Sequence, residues 1–168
     1  MRFEEVTNDV YEVLEKVREK YFPELLNAKI KLLFDTKKRT KGSRVVLANI
    51  RKTNDLLKLL TAKEAKDNEG FTYIVTVDKI VWQNIDSKDK IRLLRHELRH
   101  TSVSIDDEKD PYKIVDHDIQ DFLEELRLNE DDPGWAKRVT SLTEDIYEQM
   151  EEQKKAAKKK IKKGKNKR

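Results

Sequence analysis

All three histidines of this chain fall within one stretch of 22 residues. Two of them form His96-Glu97-Leu98-Arg99-His100, an H-E-x-x-H pattern, and the third opens His117-Asp118-Ile119-Gln120-Asp121-Phe122. The spacing i, i+4 puts His96 and His100 one turn apart on a helix face, where both imidazoles can hold one metal ion. Glu97 then stands beside the ion as a base for an activated water. This requirement constrains the fold more than any other feature. The chain must supply a helix with these two histidines looking into a cleft. A second segment must return to bring in a third ligand. A catalytic zinc takes three protein ligands and leaves a position for water. His117, 17 residues after His100, is the expected third ligand. Asp118, Asp121, Glu124 and Glu125 are carboxylate alternatives, and Asp121 is also placed to orient a ligand imidazole from behind.

Composition narrows the rest. The chain has 168 residues, 42% of them charged and 36% apolar, so its core must be thin for its length. It contains no cysteine, so a zinc site can use only His, Asp or Glu. It has no apolar run of membrane-spanning length and no apolar leader segment, which points to a cytoplasmic protein with no membrane partner. Charge is divided unevenly. Lys154 to Arg168 carries ten basic residues and no acidic one, whereas the preceding 153 residues carry 27 basic and 33 acidic side chains. We therefore expect a domain over residues 1–153 and a basic tail, disordered or partly helical, over 154–168. Such a tail suits a nucleic-acid-binding arm, without base stacking because it lacks aromatic residues.

Periodicity gives the expected elements. Phe3, Val6, Val10, Val13, Val17 and Tyr21 recur at helical spacing up to Pro23. Ile30 to Phe34 and Val45 to Ile50 read as strands around a polar turn at 37–43, arranged as a hairpin, and Phe71 to Val77 as a third strand. Leu56, Leu57, Leu59 and Leu60 lie on a helix capped by Thr53 or Asn54. Trp82 falls in a connecting segment. A helix over Ser87 to Ser102 has three faces: Ile91, Leu94 and Leu98 toward the core, Arg92, Arg95 and Arg99 toward solvent, and Leu93, His96, Glu97 and His100 toward the cleft. An acidic loop, Asp106 to Pro111, leads to a helix carrying Ile119, Phe122, Leu123 and Leu126, with His117, Asp121 and Glu124 on its other side. Val139, Leu142, Ile146 and Met150 mark a last helix after Asp132-Pro133-Gly134. The expected fold is α+β. A small mixed or antiparallel sheet is packed by helices, one of them bearing the H-E-x-x-H, followed by a C-terminal helix and the basic tail.

The chemistry expected of such a site is zinc-dependent peptide hydrolysis. Zinc polarises the scissile carbonyl, and Glu97 takes the water's proton and delivers it to the leaving amine. Tyr112, Tyr147 and the motif arginines are candidates to stabilise the oxyanion. The alternative is a non-enzymatic zinc-containing nucleic-acid-binding or interaction protein, against which Glu97 argues, since a structural ion needs no base beside it. From Val45 to Phe122 the chain resembles the phage metallopeptidase family. The resemblance is carried by Leu47-Ala48-Asn49-Ile50, the Phe71 to Val77 strand, Trp82, Arg95-His96-Glu97-Leu98-Arg99-His100, and His117-Asp118-Ile119-Gln120-Asp121-Phe122. It implies a zincin-like fold, a Zn2+ cofactor, His96, Glu97, His100 and His117 as site residues, a protein or peptide substrate, and the host cytoplasm as location for a phage-encoded chain. The site is also similar, more loosely, to that of SprT-like proteases of DNA-associated proteins, although their cysteine zinc ribbon has no counterpart here.

Overall fold

The computed structural model describes residues 1–42, 44–66, 68–107, 109–117 and 122–165, with side chains described as far as residue 158. Asp118 and Asp121, considered above as ligands or supports, lie outside the described residues. The fold is α+β, as expected. Its elements are β1 (Phe3–Glu5), α1 (Asn8–Tyr21), β2 (Ile30–Asp35), β3 (Thr40–Lys41), β4 (Arg44–Val45), β5 (Ala48–Lys52), α2 (Asp55–Ala65), β6 (Tyr73–Asp78), α3 (Lys79–Asn84), α4 (Ser87–Arg99), β7 (Thr101–Val103), β8 (Tyr112–Ile114), α5 (Leu123–Leu128) and α6 (Trp135–Lys165).

The main sheet is mixed, in the order β1-β2-β6-β5. β2 runs parallel to β6, with Leu32 opposite Val75 and Phe34 opposite Val77. β5 lies antiparallel to β6 on its far side, with Ile50 opposite Val75. The expected hairpin of the second and fifth strands is therefore absent: both pair with β6, which separates them. Only the short β3–β4 hairpin spans the polar turn. Nor does the first helix begin at Phe3. Phe3 to Glu5 pair antiparallel with β2, and α1 starts at Asn8. Trp82 is not in a connector either. It is buried on α3, which Asp78 caps by accepting from the backbone N–H groups of Ile80 and Val81.

Inward residues of the sheet meet two helices. Leu32, Phe34, Tyr73, Val75 and Val77 pack with Val10, Leu14 and Val17 of α1 and with Leu94 and Leu98 of α4. Trp135 and Val139, at the start of α6, close the same core. Lys31 alternates as the strand reading requires, yet it is buried, its ammonium held by Glu5 at 2.6 Å and by Glu64. α2 buries none of its residues, and Leu56, Leu59 and Leu60 stand exposed. Asn54, rather than Thr53, caps it. Beyond it Gly70 adopts φ 66°, and a side chain there would meet the Lys58 carbonyl oxygen at 2.2 Å, so only glycine fits the return into β6.

Candidate metal centre

α4 begins under the cap of Asp86, whose carboxylate accepts from the Asp89 N–H at 2.8 Å. Its buried Leu94 and Leu98 seat it against the core. It stops at Arg99, three residues short of the expected end, because Thr101–Val103 leave the helix to pair with β8. His100 is therefore the residue that terminates the helix, its N–H still bonded to the Glu97 carbonyl at 3.1 Å.

This early stop builds the site. In the β7–β8 pair Thr101 stands opposite Ile114, and the pairing extends through Val115, whose N–H donates to the His100 carbonyl at 2.8 Å. The chain then turns His117 toward α4. The expectation that His117 opens a helix is not met: it lies outside any helix or strand, and the described part of the next helix starts only at Leu123. The three imidazoles nevertheless come together. The Nε2 atoms of His96 and His117 are 3.1 Å apart. The ring centroid of His100 lies 5.4 Å from that of His96 and 4.5 Å from that of His117. One nitrogen from each ring lies within 4.8 Å of the others. The Phe122 ring packs edge-on against all three.

The donor set fits a metal ion. Two imidazole nitrogens at about 2.05 Å from a tetrahedral zinc would stand about 3.3 Å apart, close to the observed separation of His96 and His117. An N–H···N hydrogen bond could span that pair, but it cannot recruit a third ring. His100 gives the more telling sign. Its Nδ1 lies 2.9 Å from the Val115 carbonyl oxygen, which can only accept, so Nδ1 carries the proton and Nε2 presents its lone pair to the cluster.

Glu97 faces the same cleft from a buried position. Burial pushes its carboxyl up to about 7, against the opposing pull of His96, the Ile50 backbone N–H and Arg39. A divalent cation beside it would lower it again. The cleft holds about 440 Å³. One wall is the outer strand of the main sheet, from Val46 to Ile50. The other carries Leu93, Ile114 and Trp135, with Lys41 and Asp116 also at its border. Sequence reasoning does not find Lys41, Asn49, Asp116 or Trp135 as cleft residues. Asn49 and Asp116 adjoin motifs already singled out, so proximity to those motifs is the available signal. Trp135 offers none.

The arginine stripe departs most from expectation. Arg92 and Arg95 are buried, not solvated. Arg95 Nε donates to both carboxylate oxygens of the fully buried Glu125, at 2.9 and 3.0 Å, and its guanidinium also donates to Asn129. Arg92 binds Asp89 at 2.9 Å and Asp131 at 2.7 Å. Asp89 in turn accepts from Arg138 of α6 at 2.8 Å. Burial raises the Asp89 carboxyl, but Arg138 and Arg92 outweigh it and hold it below the usual range. Arg99 reaches Glu124 at 3.0 Å. Glu124 and Glu125 are thereby engaged by arginines and are not part of the histidine cluster. None of the three arginines lines the cleft, which places them away from a substrate oxyanion there. Of the two tyrosines, Tyr147 donates to the buried Asp78 at 2.7 Å, and Tyr112 packs edge-on against Tyr73; neither lines the cleft.

Among known proteins, the profile of the family described as Putative phage metallopeptidase matches residues 1–150. No curated protein and no solved structure matches the chain. The looser likeness to SprT-like proteases thus gains no support. No helix among the described residues is long and apolar enough to cross a membrane.

Proposed function

The chain belongs to the Putative phage metallopeptidase family, and from that premise we propose that it is a zinc-dependent peptidase in which His96, His100 and His117 hold the ion and Glu97 is the catalytic base. The observation that carries this reading is the convergence of three imidazoles beside a buried carboxylate that faces the same cleft. A carboxylate beside the ion can accept a proton from the attacking water and pass it on. A purely structural ion would make no use of one.

Zinc bound there would supply Lewis acidity, activating a water and polarising a substrate carbonyl. The residues of the chain account for the rest. Val115 holds His100 in the tautomer that can ligate. Phe122 packs edge-on against the three rings and helps to hold them in place. Glu97 receives a proton from the attacking water, whose oxygen bonds to the acyl carbon. As the C–N bond breaks, Glu97 delivers that proton to the leaving nitrogen. An extended peptide lying along the outer strand finds the main chain of Ala48 to Ile50 beside it, and apolar side chains find Leu93, Ile114 and Trp135. Lys41 and Asn49, which line the cleft, replace the tyrosines as candidate donors to the oxyanion.

Elemental analysis of the purified full chain, paired with cleavage of a mixed peptide library, tests this. The expected result is one zinc per chain, lost in the His96→Ala, His100→Ala double variant. Glu97→Gln should keep the zinc and lose about 10²- to 10⁴-fold in turnover. Wild-type turnover by Glu97→Gln, or full metal occupancy in the double histidine variant, would overturn the reading.

A further inference from the structure

Two basic segments more than a hundred positions apart in sequence lie on one side of the molecule. The first is the β3–β4 hairpin with its approach. Residues 36–46 hold Lys37, Lys38, Arg39, Lys41 and Arg44 and no acidic residue. The second is the end of α6. The Lys38 ammonium sits over the Tyr147 ring at 5.3 Å from its centroid, and β4 packs against α6. Lys154 follows Tyr147 by seven residues, two helical turns and about 10 Å along the axis, and returns to the same side of the helix. The intervening turns carry Glu148, Glu151 and Glu152, so the two basic regions are separate patches on one side with an acidic stretch between them.

Two further observations mark these cations as available. Several cations elsewhere on the body are committed to carboxylates, among them Lys31 to Glu5, Lys52 to Asp110, Lys79 to Glu4, Arg92 to Asp131, Lys113 to Asp107 and Arg138 to Asp89. Lys37, Lys38, Lys41 and Arg44 are exposed, and none is in an ion pair among the described residues. The tail, moreover, is not a separate string. α6 continues unbroken from the core-docked Trp135 through Lys165, and residues 151–158 are exposed. Lys154, Lys155 and Lys158 are exposed there, at a spacing that a helix gathers onto one side.

We propose that the 37–44 segment and the C-terminal part of α6 together bind the phosphate backbone of duplex nucleic acid. From the level of Tyr147 to Lys158 the surface extends about 16 Å, a length over which a duplex carries about 10 charges. Neither segment holds an aromatic residue, so binding is to phosphates and without sequence preference. An anionic membrane would ask for Trp, Phe or Leu along one side of the helix, and Ile161 is the one large apolar residue between Lys154 and Arg168.

The test is fluorescence anisotropy of a short labelled DNA duplex titrated with the full chain over a salt series, beside vesicles of phosphatidylcholine and phosphatidylserine in equal parts. It does not depend on hydrolysis. Two sets of substitutions are compared, Lys37→Gln with Lys38→Gln and Arg44→Gln, and Lys154→Gln with Lys155→Gln and Lys158→Gln. Each set should weaken duplex binding roughly tenfold and lower the salt slope by about one for each phosphate that is no longer neutralised. Lys37→Arg with Lys38→Arg should bind as the wild type does, which separates charge from folding. Wild-type affinity and slope in the first set would remove the hairpin from the surface and overturn the proposal. The same result in both sets, loss of binding in the arginine pair, or tighter binding to vesicles than to duplex would overturn it equally.

Discussion

His96, Glu97 and His100 occupy one side of α4, and Arg92, Arg95 and Arg99 another. Both sides are dense in ionisable groups, yet the fold treats them in opposite ways. On the first side the groups converge on one another at the edge of a cleft. On the second, Arg95 and Arg92 are closed off by Glu125, Asn129, Asp89 and Asp131 and cannot respond to anything. The second side makes the first possible. Arg95–Glu125 ties α4 to α5, the helix that follows Phe122, and Asp89–Arg138 ties α4 to α6. The histidine face is held in place from behind.

The contrast between the two sides breaks most readily at Glu125. Glu125→Ala leaves the Arg95 guanidinium buried without its carboxylate, so stability should fall by about 3–5 kcal/mol in denaturant unfolding. A loss under about 1 kcal/mol would mean that α5 is not clamped in this way.

A somewhat smaller effect should appear on the cleft side, in metal-free protein. Burial raises the Glu97 carboxyl from 4.5 to about 7, so the folded state keeps this proton longer than the unfolded chain does. The contribution favours folding at low pH and is lost as pH rises through that interval. Glu97→Gln removes it. The variant should be close to wild type near pH 5 and more stable by about 3 kcal/mol near pH 8, read from paired unfolding curves. A difference that does not grow with pH would show that Glu97 is better solvated than its burial indicates.

The smallest effect should come at Arg99. Its Nη1 meets Glu124, which is largely exposed, and its Nη2 stands 3.7 Å from Glu125, while Nε and Nη2 lack a hydrogen-bond partner. Its guanidinium lies over Phe22, 4.6 Å from the ring centroid, a contact that a thioether can replace. Arg99→Met should change stability by less than about 1 kcal/mol, and a larger loss would place Arg99 with Arg95 in the clamp.

What is legible in the sequence is what depends on short spacing. His96, Glu97 and His100 share about one turn of helix, so five consecutive residues specify their relation. The buried strands Phe71 to Val77 and Ile30 to Phe34 are likewise visible in their own composition. The arginine stripe misleads because the same spacing that exposes a helix face also presents it to a neighbour, and Glu125 stands 30 positions from Arg95. Phe3 misleads because it fits the period of α1, while its actual partner, Asp35 on β2, lies 32 positions away. The expected hairpin fails for the same reason. Both of its strands belong to β6, a choice that only the assembled sheet makes. His117 is a ligand candidate by residue type alone; its place beside His100 depends on the β7–β8 pairing.

That pairing orders events in time. His96 and His100 are neighbours as soon as one turn of α4 forms, so a chain still emerging or half unfolded holds two of the three nitrogens. The third arrives only when β8 closes on β7 and Val115 meets the His100 backbone. The same closure fixes the His100 ring. A chain with α4 formed but β7 and β8 apart would therefore hold metal weakly, through two donors, and full affinity would follow strand closure rather than precede it.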